Sequence, residues 1–476
     1  MEKPPSNAAA ASSSRSARRD LTNGAGSLPW PFPRTVFPLA VMLLAVLPRL
    51  AEAQFTGGGD ISLPLGLAFD GAHIWVTNNS GEPDQTGSVT ELNASDGSKV
   101  GTFPVVKPSA LVFDGAHLWI SNDAHNFSGV TELDASNGSI VDIATAGGDI
   151  DNPRGLAFDG AHIWVANHGF DRNSVTELNA SDGSKVGTFT GGGDIKNPVA
   201  LAFDGAHVWV ANVTGGLPGS DSVTALNASD GSKVGTFSAG GDIQQPDALV
   251  FDGRHIWVGN LTGNSVTELN ASDGSKVGTF TAGGDIYLPT ALAFDGKHIW
   301  VANGGGLPGK GNSVTELDVR NGKKLATFTT GISNPTALVF DGMRIWVANA
   351  GNSSVTVLPG ICVPSPSALC LKGNRFRVTA QFNAGSSGSG EAQAVPITAD
   401  TGYFWFFSAA NIEVVVKVLD GCLFNDSYWV FAGGLTDVEV MLAVTDTQTG
   451  RTKTYTNPFG TKFSPIQDTR ALAVCP

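Results

Sequence analysis

The sequence predicts an all-β protein: a seven-bladed β-propeller of four-stranded blades, followed by a small β-sandwich domain. Three observations carry this. Phe-Asp-Gly recurs at Phe69, Phe113, Phe158, Phe203, Phe251, Phe294 and Phe340, with gaps of 44, 45, 45, 48, 43 and 46 residues, the period of one propeller blade. Each unit carries four strand-patterned segments separated by turn residues, and none carries helical periodicity. One such sheet is only marginally stable alone, whereas seven packed radially bury each other's apolar faces and leave only short edges.

The unit from Pro153 to Thr190 shows the pattern. Leu156-Ala157-Phe158 is an apolar run closed by the hairpin signal Asp159-Gly160, and Ile163-Trp164-Val165-Ala166-Asn167 follows as a second strand. After a polar loop, Ser174-Val175-Thr176-Glu177-Leu178 alternates with period two, a turn falls at Ser181-Asp182-Gly183, and Lys185-Val186-Gly187-Thr188-Phe189 is the fourth strand. The seventh unit runs into Pro359-Gly360 in place of that fourth strand. The segment Gln54 to Ile61 matches the end of a unit, so the N-terminal end of the propeller is expected to supply the missing strand and close the ring.

Residues 1–53 read as a signal peptide. Arg15, Arg18, Arg19 and Arg34 precede the apolar run from Val36 to Pro48, and Ala51-Glu52-Ala53 is a small-x-small cleavage pattern. The apolar run is short for a bilayer, so export without stable membrane insertion is expected. The formal net charge is −14, and it becomes −17 without residues 1–53, which hold six Lys/Arg and three Asp/Glu. Such an acidic chain repels phosphate backbones, which argues against a nucleic-acid partner. All four cysteines, Cys362, Cys370, Cys422 and Cys475, follow the last repeat and suit two disulfides in an exported C-terminal module, with three pairings open.

The tetrapeptides Trp75-Val76-Thr77-Asn78, Trp119-Ile120-Ser121-Asn122 and Trp164-Val165-Ala166-Asn167, with four later counterparts, resemble the signature of YVTN-type β-propellers, with Trp in the Tyr place. The resemblance covers residues 54–358. It extends to the streptogramin-lyase-like and NHL-like propellers, and what it implies is chiefly the ring fold, because activities across these proteins are diverse. Residues 359–369, with Pro364, Ser365, Pro366 and Ser367, read as a linker. From residue 370 to 476, alternation at Phe376, Val378, Ala380 and Phe382, and at Ile412, Val414, Val416 and Val418, predicts a sandwich of roughly seven strands. That segment resembles a C-terminal module of secreted bacterial proteins through Tyr403-Phe404-Trp405-Phe406-Phe407 and Tyr428-Trp429-Val430-Phe431-Ala432-Gly433-Gly434.

Candidate chemistry is sparse: GxSxG, HExxH, phosphate-loop and paired CxxC motifs are all missing from the sequence. His73, His117, His162, His207, His255 and His298 follow the Asp-Gly turns, with Arg344 in the seventh copy. Equivalent positions in different blades lie too far apart to share one ion, so each His is expected to tie its own hairpin to the Asp or Trp of its blade. The Asn ending each second strand, from Asn78 to Asn349, is read as scaffold. The Asp of Gly-Gly-Asp-Ile, at Asp149, Asp194 and Asp242 and also at Asp60 and Asp285, is placed on the rim of the channel. It is read as a loop cap, with Ca²⁺ ligation as the alternative; otherwise no cofactor is expected.

The copies differ most between their second and third strands. There Asp123, His125, His168, Asp171 and Arg172 stand outside the repeat pattern, a cluster suited to an anionic ligand or to acid–base work. The expected function is a monomeric, secreted binding or interaction scaffold that presents a variable loop face to a protein or glycan. The alternative is a propeller-type lyase or lactonase with a metal or histidine site at the channel mouth.

Overall fold

The computed structural model describes residues 53–79, 87–124, 127–169, 173–214, 219–305, 311–358, 362, 364–447 and 450–475. The signal-peptide reading of 1–53 falls outside them apart from Ala53, which lies in the strand that closes the ring, so cleavage directly after it leaves that strand Gln54 and Phe55 alone. Seven four-stranded antiparallel sheets form the blades, numbered here by their inner strands, which begin at Pro64, Pro108, Pro153, Pro198, Pro246, Pro289 and Pro335. Blade 3 is typical, with strands Pro153–Phe158, His162–Asn167, Ser174–Asn179 and Lys185–Phe189 in that order from channel to circumference. Each inner strand contacts the inner strands of the blades on either side, and the circle closes between Pro64–Phe69 and Pro335–Phe340.

Blade 7 is completed from the other end of the propeller. Ala53–Phe55 pairs antiparallel with Ser354–Leu358, in the register Ala53 to Val357, Gln54 to Thr356 and Phe55 to Val355. Gln54 Nε2 donates to Ser354 Oγ at 2.8 Å, and the Phe55 ring stacks on Trp346 with centroids 5.6 Å apart. The ring closes on three residues, as the copy of the unit's end at Gln54 to Ile61 predicts.

Apolar layers fill the gaps between blades. Trp164 of blade 3 packs with Ile195, Leu201, Val208, Val210 and Leu226 of blade 4, all buried, and the same layer repeats around the ring. The outer-strand Phe stacks on its own blade's Trp, as Phe189 does on Trp164 at 5.7 Å. Its other face is covered by the turn glycine of the next blade: a Cβ on Gly231, where φ is +67°, would lie 2.0 Å from the Phe189 ring. Only a residue without a side chain and tolerant of positive φ fits there. Blade 2 departs from this layer, with Ala144 opposite Val130 where the other blades put Phe.

The C-terminal sandwich has two five-stranded sheets. One runs Ala368–Leu371, Phe376–Asn383, Glu439–Asp446, Thr452–Asn457, with Ser389–Glu391 on the far end of Phe376–Asn383. The other runs Gln393–Thr398, Thr401–Trp405, Val414–Asp420, Tyr428–Gly434, Ile466–Leu472. There are therefore more strands than the seven expected, because short exposed strands such as Ser389–Glu391 carry no alternating pattern. The first strand also begins inside the stretch read as linker. Cys362 pairs with Cys370 and Cys422 with Cys475, which resolves the three open pairings. Arg375 grips the buried Asp446 with both arms of its guanidinium, at 2.8 and 3.1 Å, and bonds Tyr428 Oη at 3.0 Å. Among the described residues no helix is long and apolar enough to cross a membrane.

Candidate functional site

The repeat assigns most of its polar residues to scaffold work. Asp70 illustrates the turn: its Oδ1 accepts from the backbone N–H of Ala72 and His73, while its Oδ2 accepts from Trp75 Nε1 at 2.8 Å and lies 3.1 Å from His73 Nδ1. The same set recurs at Asp159, Asp204, Asp252 and Asp295, so these histidines bond their own hairpins as expected. The strand-ending Asn is likewise internal. Asn167 Nδ2 donates to Ser174 and Thr176 in the next strand, and its Oδ1 accepts the Asp151 N–H of the loop that enters the inner strand.

The Gly-Gly-Asp-Ile carboxylates are not on the channel rim. A tight 3-10 turn at the exit of five of the outer strands swings the Asp across the junction onto the outer strand of the following blade. Asp194 Oδ2 meets Lys233 Nζ at 2.9 Å and Thr236 Oγ1 at 2.8 Å; Asp149 meets Lys185 and Thr188, and Asp242 meets Lys276 and Thr279. Asp60 and Asp285 repeat the clasp with Lys99 and Thr102, and with Lys324 and Thr327. Hydrogen bonds from the Lys and Thr hold the Asp60 and Asp194 carboxyls below the usual carboxylate range. Asp149, Asp194 and Asp242 therefore sit at three separate junctions on the circumference, each against a cation, and do not converge on one ion.

A cavity of about 700 Å³ lies at the channel mouth, lined by all seven inner strands. Behind the opening its wall is regular, Gly or Ala followed by Leu in every blade, as in Gly66-Leu67 and Ala200-Leu201. The residue directly after each leading Pro is irregular: Leu65, Ser109, Arg154, Val199, Asp247, Thr290 and Thr336. Thr290 and Thr336 donate to the carbonyls of Pro335 and Pro64 at 2.7 Å, which ties each to the next blade. Arg154 and Asp247 are the two charged members of the set.

Arg154 Nη2 lies 3.5 Å from Asp123 Oδ2, brought there because the second strand of blade 2, His117–Ala124, runs on past Asn122 toward the mouth. His168 follows the second strand of blade 3 and lines the same cavity. Burial first, and then the Arg154 charge, holds its imidazole below the usual range, so the ring is neutral near pH 7. Its Nδ1 is buried with no hydrogen-bond partner among the described residues. Burial also pushes the Asp247 carboxyl up to about 6, although the Arg154 charge acts against this.

Of the residues singled out from the sequence, His168 lines the mouth and Asp123 pairs with Arg154, which lines it. His125, Asp171 and Arg172 lie outside the described residues. Arg154 and Asp247 escaped because they sit inside strands whose neighbours are constant. Aligning the units on their leading Pro exposes them, since no other inner-strand position varies in charge.

The strand that carries Arg154 is tightly constrained. A Cβ on Gly155 would stand 2.8 Å from the Ala200 Cα and 2.8 Å from the Val199 carbonyl oxygen, both backbone atoms of blade 4. Gly155→Ala is therefore expected to destabilise the propeller by about 1–3 kcal/mol, as overpacking does. Denaturant unfolding measures this, and an unchanged midpoint would mean the two strands do not approach so closely.

No family model and no curated protein matches the chain. Among solved structures it is similar to hydrazine synthase of Kuenenia stuttgartiensis, at 21% identity and a TM-score of 0.52, over 63% of this chain and 96% of that one. It is also similar to the selenomethionine-substituted virginiamycin B lyase of Staphylococcus aureus, at 18% identity and a TM-score of 0.49, over 65% and 97%. At 21% identity the likeness to the first of these is one of fold, and the fold is a β-propeller.

Proposed function

We propose that this protein is an exported β-propeller that binds a polar ligand, a glycan or a segment of a protein, in the mouth of its central channel. The observation that carries the reading is the pair Arg154 and Asp247, opposite charges at the one channel position where otherwise uniform blades diverge. Asp123 orients the guanidinium, and the neutral hydroxyl and apolar residues of the remaining blades complete the wall. Two disulfides and the signal-like N-terminus support export, the acidic net charge argues against nucleic acid, and the ring closes within one chain, as a monomer allows.

A functional charge held where burial disfavours it leaves a stability signature. The folded pKa of Asp247, about 6, stands above its unfolded value. Its contribution to stability is therefore full at low pH and is lost as pH rises from about 4 through 6. Asp247→Asn should leave stability at pH 4 nearly unchanged and raise it at pH 7.5 by up to about 3 kcal/mol, the equivalent of two pKa units. In an oligosaccharide and peptide binding screen the same variant, and Arg154→Ala, should each weaken the captured ligand at least about tenfold, the loss of one charged contact. Binding that survives both substitutions would remove the channel mouth as the site.

A second reading, a lyase or lactonase, is favoured by one observation: at the mouth, within the field of the Arg154 cation, His168 is held neutral and its buried Nδ1 has no hydrogen-bond partner among the described residues. Turnover of a captured ester or lactone that His168→Ala abolishes, with binding retained, would select it.

A further inference from the structure

In five blades a third group reaches the turn histidine. The third strand pairs with the second so that Glu91 stands opposite Trp75, Glu177 opposite Trp164 and Glu268 opposite Trp257, and this register carries the Glu beneath the His. His73 Nδ1 lies 3.1 Å from Asp70 Oδ2 and 3.3 Å from Glu91 Oε1. His162 Nδ1 lies 3.2 Å from Asp159 and 3.3 Å from Glu177, and His255 Nδ1 lies 3.1 Å from both Asp252 and Glu268. In each of these three blades the donor atoms lie within 4.8 Å of one another, and the Glu is buried. Blades 2 and 6 hold the same residue types, at His117 with Asp114 and Glu132, and at His298 with Asp295 and Glu316.

We propose that these Asp–His–Glu triads are blade-borne sites for a divalent transition metal, with Zn²⁺ as the reference ion. The sequence argument against a histidine metal ring concerned ligands shared between blades. Here one blade supplies all three. Separations of 3.1–3.3 Å between the imidazole nitrogen and each carboxylate oxygen match the edge of a coordination shell whose bonds are about 2.1 Å long. One imidazole nitrogen with two carboxylate oxygens suits Zn²⁺ or Mn²⁺ better than Ca²⁺, which takes an all-oxygen set. The Trp Nε1–H bond to one Asp oxygen and the two turn N–H bonds to the other hold that carboxylate in place.

Blade 7 supplies an independent indication that the pocket is built around a cation. In blade 7 the His is replaced by Arg344, whose Nε lies 3.2 Å from Asp341 Oδ2 and whose guanidinium also bonds the Ala94 carbonyl. A permanent cation thus occupies the place, and in the same blade the Glu position, opposite Trp346, is Val357. Where the cation is covalent, the second carboxylate is gone. Blade 4 keeps His207 and Asp204, 3.0 Å apart, but has Ala225 opposite Trp209.

The test is stoichiometry. The purified protein, stripped with chelator and dialysed at micromolar free Zn²⁺, should retain three to five zinc equivalents by elemental analysis, and chelator should lower its melting temperature. Ala225→Glu should add one equivalent by completing blade 4, and Glu91→Gln should remove one. Fewer than three equivalents, or a Glu91→Gln protein that keeps its full complement, overturns the proposal. Should Ala225→Glu not fold, Glu91→Gln, which conserves shape, decides alone.

Discussion

Phe55→Ala is expected to open the ring, lowering propeller stability by about 3 kcal/mol, the low end of the range for deleting a buried aromatic because Phe55 is only partly buried. The ring of Phe55 stacks on Trp346 and lies beneath Gly97 of blade 1, where a Cβ would be 2.1 Å away. It therefore bridges the last blade to the first. Its strand contributes three residues, so removing the side chain leaves little besides backbone pairing and Gln54 to hold the closure. Phe189→Ala is the matched control, with the same stack on its own Trp in a blade whose four strands are continuous in sequence. Both variants should lose the aromatic contribution, but only Phe55→Ala should broaden the denaturant transition and expose Trp346 to a fluorescence quencher. Equal sharpness in the two transitions would show that closure does not depend on the N-terminal strand.

Removing the Cys422–Cys475 bond is expected to cost the sandwich about 4 kcal/mol, against about 2.5 kcal/mol for Cys362–Cys370, on the chain-entropy account of cross-links. The ranking follows from separations of 53 and 8 residues. The longer bridge ties the end of the chain to the turn between Val414–Asp420 and Tyr428–Gly434, and so closes most of the second sheet. Paired Cys→Ala variants, melted separately, measure both. A larger loss at the short bridge would mean that native packing around Cys362, fully buried, outweighs loop entropy.

The architecture was legible because every unit repeats the same turn and strand signals, so each copy corroborates the others. Even the closing strand could be read, since Gln54 to Ile61 duplicates the end of a unit. The histidine-to-Asp link was legible because it is local, spanning three residues. The Gly-Gly-Asp-Ile carboxylates were misplaced for the opposite reason. Asp194 reaches Lys233, 39 residues on and in another blade, and no local pattern announces that contact. Arg154 and Asp247 went unnoticed because variability was sought in loops, whereas the channel is lined by strand residues. Glu91 went unnoticed because its approach to His73 depends on cross-strand register, which alternation alone does not fix.

The Asp clasps are unevenly distributed, and this gives the ring a grain. They join blade 7 to 1, 2 to 3, 3 to 4, 4 to 5 and 5 to 6. Between blades 1 and 2 both halves are missing together: the connection Val105-Val106-Lys107 has no Asp, and Ile140 and Ile143 stand where Lys and Thr would receive it. Between blades 6 and 7 the connection through Gly331 and Ile332 also lacks the Asp. Counted by clasps alone the propeller divides into two arcs, blades 2 to 6 and blades 7 and 1, and at the two junctions without a clasp a Thr near the channel bonds the next blade instead, Thr77 to the Ser109 carbonyl and Thr290 to the Pro335 carbonyl. The shorter arc holds both ends of the propeller chain, so the two junctions that flank the terminal blades are fastened at the channel and not at the circumference.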